Sequence, residues 1–468
     1  MLGSALPPAV FRGGAPRCGA LTLAKARLYD PTAMTTSPFP VVAVSRFNQH
    51  VGETVTVRGW LTQKRSSGKI AFLQIRDGSA IVQAVASRKE IPEAAWADAE
   101  RVTQESTVTA VGVVRADARA PGGHELLLTD FRVDSLTEDF PITPKEHGVA
   151  FLMENRHLWL RSSRQRAALR IRSEVEQGIH DFFHRRDFVK IDSPILTPAA
   201  CEGTSNLFET DYFGEKAYLS QSGQLYLEPA AAAFGKVYCF GPTFRAEKSK
   251  TRRHLMEFWM VEPEVAFLEF EGLCELAESF VSELVARVLD RCADDLKVLE
   301  RDTSALERVR GPFPRITYTE AITRLNAKGN PIVWGDDFGA DEETLVAEDF
   351  DRPVMVTRFP AAFKAFYMQP DPQDERVVLG LDILAPEGYG EIIGGSQRIH
   401  DHDLLLGRIQ AHNLPIEAFQ WYLDVRKYGS FPHSGFGMGL ERFVAWMGKL
   451  EHVRETIPYP RLLYKIYP

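Results

Sequence analysis

The sequence predicts an α+β protein in which a small β-barrel precedes a larger domain of strands and helices. The first observation is a series of five short β-rich runs within residues 41–136, several of them separated by glycine turns. The second is a pair of long amphipathic helical patterns, over 161–186 and 267–289. Strand-like and helix-like segments alternate through the rest of the chain. A length of 468 residues suits two or three domains.

The predicted barrel strands are short and follow one another closely. They cover residues 55–60, 70–75, 80–85, 106–114 and 125–129. Five strands within about 100 residues suit a closed barrel, and the oligonucleotide-binding (OB) barrel is the usual architecture of that size. Such barrels stack unpaired bases on aromatic side chains and read base edges with polar ones. The sequence therefore predicts a nucleic-acid-binding domain over 37–138.

The barrel is flanked by two segments without a clear periodic pattern. Residues 1–36 form an N-terminal extension that we expect to be disordered; the alternatives are a cleaved targeting segment and a start codon placed too early. Residues 139–150 combine prolines with mixed charge and predict a linker. The remaining chain, 151–468, is then the larger domain.

Composition excludes several classes of protein. The chain is 44% hydrophobic and 25% charged, which is ordinary for a soluble globular protein, and no apolar run approaches the roughly 18 residues of a membrane span. Five cysteines lie far apart without a CxxC pair, which favours reduced thiols in the cytoplasm. A net charge of −8 argues against indiscriminate nucleic-acid binding, so we expect no DNA partner, but it permits a local basic face.

The segment 244–259 concentrates acids, bases and aromatic residues between two predicted strands, 236–240 and 258–261. Its arginines would repel one another unless a polyanion lies among them. Phe258, at the far end, offers a flat face for a ring. A triphosphate joined to a purine meets both demands, so the segment predicts a nucleotide site.

The same segment resembles motif 2 of the class II aminoacyl-tRNA synthetases, in the aspartyl/asparaginyl/lysyl subgroup. The glycine-rich run 435–443 (GFGMGLERF) resembles motif 3, and the helix 161–186 running into Ser193-Pro-Ile-Leu resembles motif 1. The resemblance covers about residues 41–468. It implies a class II catalytic domain over 151–468, an antiparallel sheet flanked by helices, behind an OB barrel that holds the anticodon.

The resemblance also implies an ATP site without a P-loop. Arg245 would bridge the α-phosphate and the substrate carboxylate, while Phe258 and Arg442 would cover the two faces of adenine; Arg245 and Arg442 are the implied catalytic residues. Glu391 would bind Mg²⁺ with Asp382, and the nearest rival to Asp382 is Glu387. The full implied ATP-binding set is Arg245, Glu247, Arg253, His254, Leu255, Phe258, Glu391, Gly439 and Arg442.

A free α-amino acid needs a carboxylate for its ammonium group and a cation for its own carboxylate. The resemblance implies that Glu202 and Gln224 hold the ammonium and that Arg398 donates to the side-chain oxygen. Leu227 stands where aspartyl enzymes carry a lysine, and Glu228 follows it as in asparaginyl enzymes. A glutamate accepts from an amide NH₂ and repels a carboxylate, a mismatch that can reject aspartate by about 10⁴-fold. The implied substrate is therefore L-asparagine.

The implied reaction is ligation of L-asparagine to tRNA(Asn) for translation, through asparaginyl-adenylate, with ATP as substrate and Mg²⁺ as cofactor. In the barrel, Arg65, Phe72 and Gln83 match a loop arginine, a stacking phenylalanine and a base-reading glutamine that serve the central anticodon base. Pro194, in motif 1, would lie at the two-fold contact of a homodimer.

Three alternatives remain open at this point. The nearest is an aspartyl-tRNA synthetase, including one that charges both tRNA(Asp) and tRNA(Asn), since the pair Ile399-His400 is commoner in archaeal-type aspartyl enzymes. Leu227 and Glu228 argue against it. A paralogue that makes free asparagine would have no use for the barrel. A noncatalytic RNA-binding protein of this fold would not need the intact ATP-binding set.

Overall fold

The computed structural model describes residues 37–198, Cys201 and residues 207–468, which divide into two compact units between Thr143 and Pro144. This division falls inside the segment 139–150 that the sequence predicts as a linker. The N-terminal extension, 1–36, lies outside the described residues. Among the helices of the described ranges, none is long and apolar enough to cross a membrane.

The first unit is a closed five-stranded barrel, as the sequence predicts. Its strands are β1 (Thr54–Ser67), β2 (Ile70–Arg76), β3 (Ile81–Ser87), β4 (Thr107–Ala116) and β5 (His124–Ser135), with helix α1 (Glu93–Arg101) between β3 and β4. The order around the barrel is β1-β2-β3-β5-β4. Alternate residues such as Leu73 and Ile75 fill the core, because successive side chains of a strand point to opposite faces. Helix α1 was not predicted; Trp96 and two alanines bury its inner face in the same core.

The second unit is built on one eight-stranded sheet. Its strands are β6 (Val189–Lys190), β10 (Lys236–Phe244), β11 (Glu257–Ala266), β12 (Arg315–Thr317), β13 (Val354–Thr357), β16 (Gly380–Ala385), β17 (Gly390–Gln397) and β18 (His433–Gly439). The order is β12-β13-β16-β17-β18-β11-β10-β6. All central pairs are antiparallel, as expected, whereas the edge pairs β12–β13 and β10–β6 are parallel.

Two small sheets accompany the large one. Strands β7 (Leu196–Thr197), β8 (Glu209–Tyr212) and β9 (Glu215–Leu219) form the first, and β14 (Pro370–Asp371) and β15 (Asp374–Val378) form the second.

The helices of this unit are α2 (Val149–Glu154), α3 (Arg156–Trp159), α4 (Ser163–His184), α5 (Gln224–Phe234), α6 (Phe270–Arg291), α7 (Ala293–Val298), α8 (Ser304–Glu307), α9 (Tyr318–Ala327), α10 (Ala340–Ala347), α11 (His402–Ala411), α12 (Ile416–Lys427) and α13 (Leu440–Gly448). Helix α4 begins where the Ser162 side chain accepts from the backbone N–H of Gln165, 3.3 Å away. Helices α4, α6 and α13 bury their apolar faces in one core with the central strands of the sheet.

The pairing register determines which side chains share the other face of the sheet. Asp382 on β16 lies opposite Gly394 on β17, and Gly394 lies opposite Gly437 on β18. Met260 on β11 lies opposite Gly439, two residues from Gly437. Directly paired residues point to the same side, so all five belong to one face. A Cβ at Gly439 would meet no atom within 4 Å, so a ligand can approach the backbone there, whereas the side chains of Glu391 and Met260 lie against Gly394 and Gly437.

Candidate active site

The first of two cavities on this face is lined by the loop between β10 and β11 and by the start of α13. All nine residues that the sequence predicts to bind ATP line it: Arg245, Glu247, Arg253, His254, Leu255, Phe258, Glu391, Gly439 and Arg442. They come from three separate stretches of the sequence: 245–258, Glu391 on β17, and 439–442. The structure therefore brings the whole predicted nucleotide set together.

Arg245 and Arg442 both line this cavity. Arg245 follows β10 directly, and its guanidinium carbon lies 5.3 Å from the centre of the Phe258 ring. Arg442 lies in the first turn of α13, donates to the backbone carbonyl of Glu391, and has Nη1 3.8 Å from the Glu391 carboxylate. A nucleotide in this cavity would therefore have two cations beside it.

Arg253 is already paired within the protein. Its Nη1 lies 3.1 Å from the Glu343 carboxylate, and its Nη2 donates to Thr344 Oγ1 at 2.8 Å and to the Gly388 carbonyl at 2.5 Å. Burial lowers the pKa of Arg253, and Glu343 opposes that shift. Glu343, on α10, was not predicted, because nothing in the acidic sequence of α10 distinguishes it from its neighbours.

His254 is held between a hydroxyl group and a carboxylate. Its Nδ1 contacts the Thr251 hydroxyl, and its Nε2 lies 3.5 Å from Glu247. Burial lowers the pKa of His254, and the positive charges of Arg442 and Arg245 lower it further, while Glu247 opposes them. The ring is therefore neutral near pH 7, which makes it a hydrogen-bonding group toward the cavity and not a fixed charge.

The second cavity has a volume of about 510 Å³ and adjoins the first. Gln224, Asp382 and Arg398 line it, whereas Arg245 and Glu391 line both cavities. A volume in the range of several hundred Å³ suits a small molecule. A reaction between a ligand in the first cavity and a ligand in the second would therefore take place beside Arg245.

Arg398 forms part of the floor of the second cavity. Its Nη2 lies 3.0 Å from Glu264 and its Nη1 donates to Ser396 Oγ at 2.7 Å. Burial alone would lower the pKa of Arg398, but Glu264 and Glu228 raise it. Arg398 is thus a fixed, fully charged donor, consistent with the role predicted for it.

Glu228 lies below that floor and is fully buried. Oε1 accepts from Gln224 Nε2 at 3.1 Å and from the Tyr422 hydroxyl at 2.7 Å. Oε2 accepts from Arg426 Nη2 at 2.5 Å and contacts His433 Nε2 at 2.9 Å. Four partners occupy the roughly four lone-pair positions of a carboxylate. Direct contact between Glu228 and a substrate amide therefore stays a prediction, and it requires one of these partners to move.

Sequence reasoning missed three members of this buried layer. Tyr422 and Arg426 lie four residues apart on α12, and this spacing, which places them on one face of a helix, was the available signal. His433 begins β18, and nothing in the sequence around it indicates that it contacts Glu228.

The two predicted metal ligands converge above Gly394. A Cβ atom at Gly394 would lie 2.7 Å from Glu391 Oε1 and 3.5 Å from Asp382 Oδ1. Burial raises the pKa of Asp382 and the charge of Glu391 adds to this, while Lys364, with Nζ 2.8 Å away, opposes it. Two crowded carboxylates fit a hard divalent cation. Within the described ranges, no group of three or more His, Cys, Asp or Glu side chains could hold a metal ion.

Two predicted residues remain, the rival metal ligand and the residue for the α-ammonium group. The rival metal ligand, Glu387, instead pairs with Arg301 Nη1 at 2.8 Å. Glu202, predicted to hold the α-ammonium group, lies outside the described residues.

In the barrel, the three predicted anticodon residues share the outer face. Arg65 lies within β1, directly opposite Phe72, so the expectation that it lies in a loop is wrong: β1 continues to Ser67. Phe72 is half-buried outside the barrel core, and Gln83 lies on the same face of the adjacent strand. The arrangement offers a ring and two polar side chains side by side.

Pro194 lies in an exposed apolar segment. Ile195 and Leu196, which follow it, are 46% and 42% exposed. Such a run favours an interface, while the two-fold contact itself stays a prediction.

Comparison with known families gives two matches along the chain. Residues 149–463 match the family described as tRNA synthetases class II (D, K and N). Residues 55–134 match the OB-fold nucleic acid binding domain. The first match alone covers more than half of the chain.

Individual relatives agree with these matches. A protein of Desulforamulus reducens named asparagine–tRNA ligase is 59% identical over 91% of this chain and 99% of its own length. The structure of asparaginyl-tRNA synthetase from Pyrococcus horikoshii, solved with asparaginyl-adenylate, has a TM-score of 0.87 at 43% identity, covering 90% of this chain and 97% of that one. The corresponding enzyme of Entamoeba histolytica, also solved with asparaginyl-adenylate, has a TM-score of 0.82 at 32% identity, covering 89% and 97%.

Proposed function

This chain belongs to the class II tRNA synthetases of the D, K and N group, and from that premise we propose that it is an asparagine–tRNA ligase. It activates L-asparagine with ATP and transfers the asparaginyl group to tRNA(Asn). The observation that carries the proposal is the meeting of two cavities at Arg245 and Glu391, one lined by the complete nucleotide set and the other by Gln224 and Arg398.

The choice of asparagine over aspartate rests on relatives and on chemistry. The relatives named asparagine–tRNA ligase are 56–59% identical over 91–92% of this chain. In the cavity floor, the charge of Arg398 is already balanced by the carboxylate of Glu264, and the position that would carry a lysine is the fully buried Leu227. Neither position therefore offers an unbalanced positive charge to a side-chain carboxylate, so the neutral side-chain amide of asparagine is the better ligand.

Arg245 would perform the central task of adenylation. The asparagine carboxylate attacks the α-phosphorus of ATP, a P–O bond forms, and the bond to pyrophosphate breaks. Arg245 lines both cavities, so it can contact the attacking carboxylate and the α-phosphate together and stabilise the charge on the transition state. Holding both groups in one place also removes much of the entropic barrier, without a covalent enzyme intermediate.

The remaining nucleotide residues would orient ATP. Phe258 and Arg442 would enclose the adenine ring, and Arg253 and His254 would contact the distal phosphates. Glu391 and Asp382 would hold Mg²⁺, which when bound neutralises phosphate charge beside the α-phosphorus.

Transfer then requires the terminal adenosine of tRNA(Asn) to reach the adenylate. Its 3′-OH attacks the asparaginyl carbonyl carbon, and AMP leaves. The barrel would select the tRNA, with Phe72 stacking on an anticodon base and Arg65 and Gln83 contacting its polar edge.

Two further parts of the proposal concern the environment of the enzyme. The exposed segment around Pro194 would form the interface of a homodimer. The buried thiols of Cys239, Cys274 and Cys292 form no disulfide bond, which fits a reducing compartment, so we place the enzyme in the cytoplasm.

The experiment is amino-acid-dependent ATP–pyrophosphate exchange by the full chain, comparing L-asparagine with L-aspartate. Exchange with L-asparagine alone is the expected result. Exchange with L-aspartate at equal efficiency would overturn the substrate assignment while leaving the nucleotide site intact. Charging of tRNA(Asn) against tRNA(Asp) completes the test.

A further inference from the structure

We propose that Tyr422, Arg426 and His433 are positioning residues for the amino-acid site. They hold Glu228 as a fixed anion, and Glu228 in turn orients the amide of Gln224 so that its carbonyl oxygen faces the substrate cavity. The inference rests on the proposed function only in taking the ligand of this cavity to be an α-amino acid.

The first step is the charge of Glu228. Burial opposes its ionisation, but Arg426 and His433 outweigh burial and lower the pKa of the carboxyl group. An ionised carboxylate accepts hydrogen bonds and donates none. Every group that contacts Glu228 must therefore present a hydrogen to it.

The second step is the state of His433. Its Nδ1 lies 2.8 Å from the carbonyl oxygen of Phe431, and its Nε2 lies 2.9 Å from Glu228 Oε2. Both partners are acceptors, and a neutral imidazole has only one N–H. Both contacts are satisfied together only when the ring carries two hydrogens, which makes His433 a second cation beside Arg426.

The third step is the orientation of Gln224. Its Nε2 lies 3.1 Å from Glu228 Oε1, and its backbone N–H donates to Ser222 Oγ at 3.1 Å. Only the NH₂ end of an amide can approach a carboxylate, so the carbonyl end turns away from Glu228, and Gln224 lines the cavity. A carbonyl oxygen there accepts from an ammonium group or an amide NH₂ and repels a carboxylate. Glu228 thus influences the substrate through Gln224.

The test begins with Glu228→Gln, which keeps the shape and removes the charge. A neutral amide at position 228 can face Gln224 with either end, so Gln224 is no longer held in one orientation. In pyrophosphate exchange we expect the KM for L-asparagine to rise about tenfold or more, while the KM for ATP changes less than about twofold. The preference for L-asparagine over L-aspartate should fall by a similar factor.

A matched pair at Arg426 separates positioning from packing. Arg426→Met and Arg426→Lys retain similar length, but only lysine retains the charge. We expect the methionine variant to show the same rise in the KM for L-asparagine and the lysine variant to restore it at least partly. Equal behaviour of the two variants, or a parallel rise in the KM values for L-asparagine and ATP with a lowered Tm, would overturn the proposal.

The wild-type protein is measured first, so that a failure of the proposed function can be distinguished from a failure of this inference. Should another amino acid support exchange in place of L-asparagine, the proposed function fails and the same variants are tested with that amino acid. If no amino acid supports exchange, the exchange assay is replaced by calorimetry, which measures the binding of L-asparagine and L-aspartate. Unchanged binding in Glu228→Gln, or no binding of either amino acid to the wild-type protein, overturns the positioning role.

Discussion

Arg253 is predicted from the sequence to bind phosphate, but in the folded chain it already has a carboxylate partner. Its place in the segment 244–259 predicts contact with a triphosphate, yet in the folded chain it pairs with Glu343 at 3.1 Å. Glu343 also accepts from the backbone N–H of Glu391 at 3.1 Å. A triphosphate at Arg253 must therefore compete with a carboxylate that lies in the same cluster.

The first prediction concerns this competition. In Glu343→Gln the carboxylate charge is lost, and we expect the KM for ATP in the exchange reaction to fall roughly three- to tenfold, because the phosphates no longer displace an ion pair. Glu348→Gln, an exposed change at the end of the same helix, is the matched control and should leave the KM unchanged. A higher KM in Glu343→Gln would mean that Glu343 instead orients Arg253 for the nucleotide.

At the scale of single elements, β18 shows why a glycine-rich strand precedes α13. A Cβ at Gly435 would lie 2.1 Å from Glu264 Oε2 and 2.3 Å from the Pro263 carbonyl oxygen, whereas a Cβ at Gly439 would meet no atom within 4 Å. The glycine at 435 is therefore needed by the fold, while the one at 439 leaves space in the nucleotide cavity.

The second prediction separates these two roles. Gly435→Ala should lower the free energy of unfolding by about 1–3 kcal/mol or more, because the methyl group overlaps backbone and a buried carboxylate. Gly439→Ala should retain the wild-type Tm but raise the KM for ATP. Thermal unfolding and pyrophosphate exchange of both variants check this, and a destabilised Gly439→Ala protein would contradict it.

The third prediction concerns the short 3-10 helix Val453–Glu455 that borders the nucleotide cavity. His452 caps it, with Nδ1 accepting from the backbone N–H of Arg454 at 3.1 Å, and burial lowers the pKa of His452 from 6.5 to about 4. Between these two values the unfolded chain binds a proton that the folded chain does not. The free energy of unfolding should therefore fall as the pH drops from 6.5 towards 4.

The variant His452→Asn checks this assignment, because asparagine can still cap the helix but does not titrate. The difference in Tm between pH 7 and pH 5 should be smaller for the variant than for the wild-type protein. An identical difference in both proteins would assign the acid sensitivity to other groups.

At the scale of the whole molecule, the sites proposed for adenylation and for anticodon binding belong to separate compact units. The residues proposed for the two tasks lie on opposite sides of the division between Thr143 and Pro144. Each unit has a hydrophobic core of its own. A change on the surface of the barrel should therefore leave the chemistry of the second unit intact.

The fourth prediction follows from this separation. Phe72→Ala removes a half-buried ring from the outer face of the barrel, and we expect the KM for tRNA(Asn) to rise about tenfold, since stacking on an aromatic ring contributes about 1–3 kcal/mol per base. Pyrophosphate exchange should be unchanged. Val51→Ala, an exposed apolar change in the turn before β1, is the control. An unchanged KM for tRNA would remove Phe72 from the anticodon site.

The sequence by itself determined the barrel, the antiparallel sheet and the lining of the nucleotide cavity. The barrel depends on patterns within short segments, namely alternating side chains in strands and glycines in turns. The antiparallel sheet and the residues that line the nucleotide cavity were implied by the resemblance of short motifs, such as 244–259 and 435–443, to those of a known family. Such patterns act through local geometry, so they can be read without knowing which distant segments meet.

Only the tertiary structure decided how the buried charges pair. Glu228 meets Arg426 and His433 across 198 and 205 residues of chain, and Arg253 meets Glu343 across 90. The energy of a buried charge depends on which opposite charge lies within a few ångströms, and that partner is set by how helices and strands pack. For this reason Glu228 was predicted as a contact of the substrate, whereas the folded chain surrounds it with four partners of its own.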